Sequence, residues 1–568
     1  MNKKWIINNN YDKVLVNTFI DVFRIPYTIS KILVQRGLKD VQQVKKFFNP
    51  DLNNLYDPFE LNGMSTAVNL IIETITNNKK ILIYGDYDVD GVCAVAILKL
   101  FLEKLAPNIE IYIPNRLQEG YGVSKNGIDF AVDKQCQLLI TVDCGITAVD
   151  EVKYAKEKGL KVIISDHHQP KEILPEADAL LNPLLSSSDY PFKMLSGAGV
   201  AFKIIQAIAK KLGMKNDIYE YLDLVAIATA ADIVPLVDEN RILVHYGLES
   251  IKNKPRIGIK AILDKAFISH EDINVNNIIF GIAPRINAVG RLGNAMPSLD
   301  ILTTNEEMQV QELADTLNQG NIQRRELDRQ IMSEVIETIE NNDNLKKSKI
   351  LILHSEKWHS GVSGIIASRL VEKYYKPAIM LTTVDGIATG SARSIPGINL
   401  FELFKSCSDI LIDYGGHAAA AGISLELYNV DTLIERLKNY ISSNYKDDIF
   451  IQSINIDASI NFKDITPKFL KYLNMLTPFG PQNTKPVFMT ENIVFCKVKQ
   501  NPGNNIIAFI RQDNSKLSLE AIGYGLADKI EIDFEKKYDI VYSIDTVKRE
   551  DLIIPQIIIK DIRYHQES

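Results

Sequence analysis

The chain has 568 residues, 64 basic and 71 acidic, a net charge of −7, and 46% hydrophobic against 24% charged positions. That length exceeds one ordinary core and predicts two to four soluble globular domains, while the acidic balance argues against a uniformly basic nucleic-acid coat protein but not against an enzyme that meets a polyanion through local basic patches. No apolar run reaches bilayer length, the start "MNKKWIINNNYDK" lacks a signal-peptide core, and the five cysteines form no CxxC pair, which predicts reduced thiols, no structural zinc and a cytoplasmic setting.

From residue 80 to 166 short apolar runs alternate with helical patterns. "KILIYG", "IEIYIP", "LLITVD" and "KVIISD" read as strands, and "GVCAVAILKLFLEKL", "SKNGIDFAVDK" and "AVDEVKYAKEKG" as the helices between them. Such alternation predicts βαβ units on a parallel sheet, with Ser124 capping one helix and Gly159 ending another. Residues 196–232 read as helical. Residues 305–342 form a long charged helix with sparse apolar positions, the pattern of a connector between domains, and "DNLKKSK" at 343–349 marks a boundary. A second αβ pattern follows, with "ILILHS", "GVSGIIASRLVEKYY" and "AIML". From about 452 onward short alternating strands predict a small barrel or sandwich. The fold class is therefore α/β with an appended β-rich domain.

Three αβ turns carry polar groups at the carboxyl ends of strands: Asp86, Asp88 and Asp90 after "ILIYG", Asp143 after "LLITV", and Asp166-His167-His168 after "VIIS". Open parallel sheets bind ligands in the crevice outside those ends, and Asp232 at the end of "LVAIATAAD" is placed to reach the same rim. A single aspartate after a strand is more often a helix cap. Acidic or imidazole groups at three strand ends of one unit fit a metal site better than capping alone. Carboxylate oxygens with imidazole and no thiolate favour Mn²⁺ or Mg²⁺, and their number suits two ions sharing a bridging carboxylate. The reaction class this predicts is hydrolysis of a phosphoester or phosphoanhydride.

The Asp166-His167-His168 triplet is the signature of the DHH phosphoesterase superfamily, and "GDYDVDG", "TVDCG" and "ATAADIVPL" resemble its other motifs. "PNRLQEGYGVS" (114–124), "GIAPRINAVGRLG" (281–293), "HSEKWHSGVSGIIASRL" (354–370), "GSARS" (390–394) and "YGGHAAAAG" (414–422) extend the match. Together they resemble the single-stranded-DNA-specific exonuclease branch of that superfamily, from about residue 30 into the C-terminal domain. The resemblance implies that residues 1–304 hold an N-terminal segment and the DHH domain, 305–345 the connecting helix, 346–448 a DHH-associated substrate-binding domain, and 449–568 an OB-like nucleic-acid-binding domain. It also implies that Asp86, Asp88, Asp90, Asp143, His167 and Asp232 hold two Mn²⁺ or Mg²⁺ ions, with Asp143 bridging them and His168 facing the scissile phosphate as the second catalytic residue. Arg116, Arg285, Asn287 and Arg291, and Ser391, Arg393 and His417 from the second αβ domain, are the implied substrate-binding residues. Other DHH branches carry a histidine where this chain has Tyr84, a poor ligand for such ions, so the ligand assignment within "DYDVD" stays open.

The implied activity is 5′-to-3′ hydrolysis of single-stranded DNA by two metals, releasing 5′-mononucleotides, in DNA repair and recombination. The implied partners are single-stranded DNA, a single-strand-binding protein and a RecQ-type helicase, with no membrane and the chain a monomer. A DHH oligoribonuclease or cyclic-dinucleotide phosphodiesterase, a pyrophosphatase, and a scaffold without activity are the competing readings. Length and the Arg-bearing motifs disfavour the first two, and the filled acidic positions disfavour the scaffold.

Overall fold

The computed structural model describes residues 3–566 apart from 107, 117, 215–216, 292, 502–503, 514, 528, 530–531 and 550–551. After a short strand β1 (Lys4–Ile7), the first large sheet is built from β2 (Lys80–Gly85), β3 (Ile109–Tyr112), β4 (Cys136–Val142), β5 (Lys161–Ser165) and β6 (Ala179–Leu181). All are parallel, in the order β3-β2-β4-β5-β6. Side chains alternate between the two faces of a strand. Ile81 and Ile83 enter one core with the helices Val89–Leu102 and Gly197–Leu212, and Leu82 and Tyr84 enter a second with Lys125–Asp133 and Val149–Glu157. Burial on both faces is why these strands read as continuous apolar runs. The chain leaves β2 toward β3 and then crosses back to β4. The carboxyl ends of β2 and β4 therefore flank a topological switch point, where an open sheet forms its crevice.

The expected helical stretch 196–232 is two helices, Gly197–Leu212 and Leu222–Ala231. Further helices, Asp238–Asn253, Ile257–Lys265, Ala283–Arg291 and Met296–Thr303, complete this domain. The long helix spans Glu307–Glu340, about 50 Å at 1.5 Å per residue. It is splinted at both ends: Val310, Ala314 and Leu317 join the first core, while Ile331, Val335 and Ile339 pack with Trp358, Val362 and Ile366 of the next domain.

That next domain carries a mixed sheet of β7 (Leu351–His354), β8 (Ala378–Val384), β9 (Ile387–Arg393), β10 (Asp413–Gly416) and β11 (Ala420–Glu426), in the order β10-β11-β9-β8-β7. Two short strands, β12 (Ser453–Ile456) and β13 (Ala458–Ser459), lead into the C-terminal domain. There β14 (Phe488–Asn501), β15 (Asn505–Gln512), β16 (Ser518–Gly523), β17 (Tyr538–Arg549) and β18 (Leu552–Tyr564) run β14-β15-β16-β18-β17, and β17 pairs back onto β14. The result is a closed five-stranded barrel.

The start of the chain sits elsewhere than expected. β1 pairs with β12, and Phe19, Ile29, Ile32, Leu33 and Val44 share a core with Phe462, Phe469, Tyr538 and Tyr542 of the barrel domain. The expected 1–304 unit thus divides near residue 50, because the apolar faces of these first helices are buried against the C-terminal domain. Arg241 of the first domain joins the two, donating to the carbonyls of Phe47, Met475 and Leu476 with its guanidinium 3.9 Å from the Phe47 ring.

Candidate metal centre

At the switch point the three aspartates after β2 have distinct tasks. Asp88 caps the helix Val89–Leu102, its Oδ1 accepting from the N–H groups of Asp90 (2.9 Å) and Gly91 (3.1 Å). Asp90, in the first turn, accepts from the N–H of Gly197 (2.6 Å) and of Ala198 (2.7 Å). These two amides open the helix Gly197–Leu212, whose positive end favours a carboxylate. Asp86 is buried and its Oδ1 has no hydrogen-bond partner. The capping alternative therefore falls on Asp88 and not on Asp86.

Asp143 does not cap a helix either. Its backbone lies in the left-handed region (φ 60°), an uncommon conformation for a side chain other than glycine and one that clusters at functional sites. Its Oδ1 also lacks a hydrogen-bond partner. It lies 3.1 Å from His167 Nε2 and 3.9 Å from His168 Nδ1. His167 Nε2 is in turn 3.6 Å from Asp90 Oδ2 and 3.7 Å from Asp232 Oδ2. Asp166 points away from this group. Its Oδ2 accepts from the Ile146 N–H (2.9 Å), and its Oδ1 from the N–H groups of His167 and His168 and from His168 Nδ1 (2.8 Å). The first letter of the signature is thus a support that holds the His168 ring and the backbone of both histidines.

The electrostatics follow from crowding without counter-charge. Burial, then the neighbouring aspartates, push Asp90 up to about 7 and Asp232 up to about 8. The same causes carry Asp86 and Asp143 well above the usual carboxylate range. Burial, then the adjacent His168, pushes His167 down to about 4, which leaves a neutral imidazole with a lone pair to offer. His168 goes the other way: burial opposes its charge, but the hydrogen bond and charge of Asp166 raise it to about 9.

Among the described residues three sets of ligand atoms each lie within 4.8 Å: Asp86, Asp88 and Asp143; Asp90, His167 and Asp232; and Asp143, His167 and His168. Asp143 and His167 each belong to two of them. All six expected ligands therefore converge, drawn from four separate chain segments. The donor set is hard oxygen plus neutral imidazole, and three of its buried atoms, on Asp86, Asp143 and His167, are without partners. That is what a pair of Mn²⁺ or Mg²⁺ ions requires, and these residues fit it.

Two features were not foreseen. Gly197 lies so close that a Cβ there would meet Asp143 Oδ1 at 2.5 Å. The available signal was "SGAG" (196–199), a capping serine followed by small residues, with Ser196 indeed accepting from the Gly199 N–H. The second feature is Tyr121, whose hydroxyl is 3.2 Å from His168 Nδ1 and 3.5 Å from the Asp143 carbonyl. Tyr84, the departure from the superfamily pattern, anchors the loop that carries Tyr121. It is fully buried and stacked on Tyr112, donates to the Gly122 carbonyl (2.9 Å), and accepts from the Ser124 N–H (3.1 Å).

The expected substrate-binding residues divide. Arg116 stacks over the Tyr87 ring at 5.1 Å, between the acidic loop and the arginines beyond it. Arg291 donates to the Gly361 carbonyl of the second αβ domain (2.8 Å), and burial, then Arg116, lowers its pKa to about 10. Asn287 accepts from the Val89 N–H (3.1 Å) and so braces the acidic loop. Ser391 and Arg393 sit side by side on β9, near Gly364, and Arg393 feels the charge of Arg116. His417, at the turn between β10 and β11, is near enough to lower the pKa of His167, so this hairpin faces the acidic rim. Arg285 is not brought there. Its guanidinium donates to Asn318 Oδ1 and to the carbonyls of Gly281 and Lys265, so those three acceptors use its fork inside the helical layer. Trp358 is buried, and His354 and His359 hydrogen-bond Thr383 and the Gly361 N–H, a packing role for both histidines.

Comparison with known proteins agrees with this geometry. Residues 80–229 match the model of the DHH family N-terminal domain, 347–443 that of the DHHA1 domain, and 456–561 that of the RecJ OB domain. The chain is 37% identical over 553 residues to the single-stranded-DNA-specific exonuclease RecJ of Bacillus subtilis, covering 97% of this chain and 70% of that protein. It is 33% identical over 520 residues to RecJ of Haemophilus influenzae, covering 88% and 90% of the two chains. The crystal structure of Thermus thermophilus RecJ in complex with Mn²⁺ superposes with a TM-score of 0.85 at 25% identity, over 99% of this chain and 80% of that one. A manganese-bound exonuclease RecJ structure matches 70% of this chain and 98% of its own, with a TM-score of 0.60 and 33% identity.

Proposed function

Since this chain belongs to the RecJ family of single-stranded-DNA-specific exonucleases, we propose that it degrades single-stranded DNA from the 5′ end, releasing 5′-mononucleotides with two divalent cations at the centre described above. The observation that carries the reading is the meeting of five carboxylates and two imidazoles at the sheet's switch point, with ligand atoms on Asp86, Asp143 and His167 left without partners. Asp86 and Asp88 would hold one Mn²⁺ or Mg²⁺, Asp90, His167 and Asp232 the other, and Asp143 both. When bound, the cations supply Lewis-acid stabilisation of the phosphoryl oxygens and make a water nucleophilic near neutral pH.

The chain's own groups prepare that chemistry. Asp166 orients His168 and holds its imidazolium form, and His168 presents its ring to the scissile phosphate. The Gly197 and Ala198 amides hold Asp90 in place. Arg116, Arg291 and Arg393, of which Arg116 is near enough to act on the charge of the other two, would bind phosphate oxygens in the planar, bidentate manner suited to guanidinium. The second αβ domain, packed on the C-terminal half of the long helix, would frame the path of the strand and exclude a duplex by width. In the cell this activity serves DNA repair and recombination in the cytoplasm, beside a single-strand-binding protein and a RecQ-type helicase. No helix among the described residues is long and apolar enough to cross a membrane.

Digestion of strands labelled at either end, with and without chelator, tests polarity, product size and metal need together. Asp143→Ala should abolish cleavage while the variant still retains DNA. Unchanged cleavage by that variant, or by the enzyme in chelator, refutes the metal assignment.

A further inference from the structure

A groove with unassigned chemistry lies on the outer helical layer of the first domain. It is a cavity of about 470 Å³ lined by Phe267, Phe280, Asn318, Ile322, Arg285 and Arg325. Two of these residues are placed at a cost. Phe267 follows the helix Ile257–Lys265 with its backbone in the left-handed region (φ 57°) and its side chain 97% exposed. For a bulky residue that conformation is a genuine outlier, and no burial offsets it. Phe280 sits in a single π-helical turn, Ile278–Ile282, and is 70% exposed. Such turns are rare and frequent at functional sites. Ile322 is a third exposed apolar group on the neighbouring face of the long helix.

The charge beside these rings is positive. Lys265 is paired with Asp315 and Arg285 with backbone carbonyls, whereas Arg325 has no ion pair among the described residues. Nor is Arg325 isolated from the metal centre. It lies close enough to Arg285 and Arg324 to depress both, Arg324 acts in the same way on Arg291, and Arg291 stands beside Arg116. Of these, Arg324 is buried and paired with Asp328 (3.1 Å) and Arg285 is committed to backbone carbonyls, so Arg325 is the guanidinium beside the rings that is left to meet a phosphate.

We propose that this groove is a second single-strand-binding site, in which nucleobases stack on Phe267 and Phe280 while a phosphate pairs with Arg325. Aromatic platforms beside a cationic track are how proteins hold single strands without reading sequence. The proposal rests on the exonuclease reading above but can fail separately from it.

The test uses the full chain and a twenty-nucleotide deoxythymidine strand carrying 5-iododeoxyuridine at successive positions. Photo-crosslinking should map adducts to Phe267 or Phe280 for at least one position. The double variant Phe267→Ala with Phe280→Ala should weaken the dissociation constant about tenfold, and tyrosine at both positions should restore it. Arg325→Ala should lower the salt dependence of binding by about one unit. Both phenylalanines are exposed, and unchanged melting temperatures would exclude a folding defect. Adducts confined to the metal cleft and barrel, or wild-type binding by the alanine variant, overturn the proposal, as they would if the groove instead takes an apolar peptide. A wild-type enzyme that leaves the strand undigested refutes the exonuclease reading instead.

Discussion

Gly197→Ala separates the geometry argued here from generic helix energetics. Gly197 opens the helix Gly197–Leu212 and its φ lies outside the left-handed region. On backbone grounds alone alanine should stabilise the protein by about 0.4–1 kcal/mol, by restricting the unfolded chain. The site says otherwise. A Cβ at this position would stand 2.5 Å from Asp143 Oδ1 and 2.6 Å from Asp143 Cβ, so Asp143 or the helix must retreat by roughly 1 Å to restore ordinary contact. Asp143 has little room to do so, being buried with its backbone already in the left-handed region. Overpacking of this kind costs about 1–3 kcal/mol, which outweighs the entropic gain. A displacement of about 1 Å in a positioned catalytic group costs on the order of a hundredfold in rate. The helix start also carries the two amides that hold Asp90, so both halves of the ligand set move together. We expect a melting temperature a few degrees lower and, at saturating Mn²⁺, a kcat reduced about a hundredfold, with a higher Mn²⁺ concentration needed for half-maximal rate. Calorimetric Mn²⁺ titration and single-turnover digestion of a labelled strand measure both. A Gly197→Ala enzyme as active as wild type would show that the contact with Asp143 does not constrain the centre.

Mn²⁺ at a hundred times its dissociation constant should stabilise the protein by about 2.7 kcal/mol, seen as a rise in melting temperature that chelator reverses; no shift would mean that the unpartnered carboxylates do not bind it. Arg285→Ala should lower stability by about 2–4 kcal/mol, since it strips donors from the Gly281 and Lys265 carbonyls, while KM for a short strand stays fixed; a raised KM with wild-type stability would return this residue to the substrate. Tyr84→Phe removes one donor to Gly122 and one acceptor for Ser124, and should cost about 1–2 kcal/mol and reduce kcat more than affinity, through the loop bearing Tyr121. Asp328→Ala leaves Arg324 buried without its carboxylate and cuts the tie to Arg369 on the helix Ser360–Tyr374. The expected loss is about 3–5 kcal/mol, with blunt duplex becoming a detectable substrate as the second domain loosens; an unchanged preference for single strands would remove Asp328 from the control of channel width.

The strands of the first sheet were legible because burial on both faces makes each one a short unbroken apolar run, and parallel pairing then follows from the helices between them. The acidic rim was legible for the same reason, since strand ends in such a sheet have one meeting place. Two kinds of information were hidden. Residues 3–48 look like a prelude to the sheet that follows them, but pairing of β1 with β12 and the burial of Phe19 and Ile32 against the barrel are non-local and leave no periodic trace. Roles within the site were hidden because identical residue types do opposite work. Asp88 caps, Asp90 is held by amides and Asp166 orients histidines, and sequence spacing cannot rank aspartates by the direction in which they point. Arg285 failed in the same way. Its motif lies beside a cleft, yet one turn of helix aims its guanidinium at carbonyls on the other side.

Tyr84 serves the centre without touching it. The tyrosine is buried in the core on the other face of the sheet, where its ring stacks on Tyr112 and its hydroxyl reaches the Tyr121 loop. Two unit charges about 4 Å apart repel by roughly 4 kcal/mol at an effective dielectric near 20, so every carboxylate added to this rim must be matched by cations or by amides. Asp86 Oδ1 and Asp143 Oδ1 accept no hydrogen bond, while Asp90 accepts from two amides and Asp166 from a histidine. Internal hydrogen bonds thus offset part of the charge, on Asp90 and Asp166, and leave one oxygen each of Asp86 and Asp143 without a donor. A cation seated here would answer both unpartnered oxygens, and Asp143, which belongs to two of the three ligand sets, would meet it from either side.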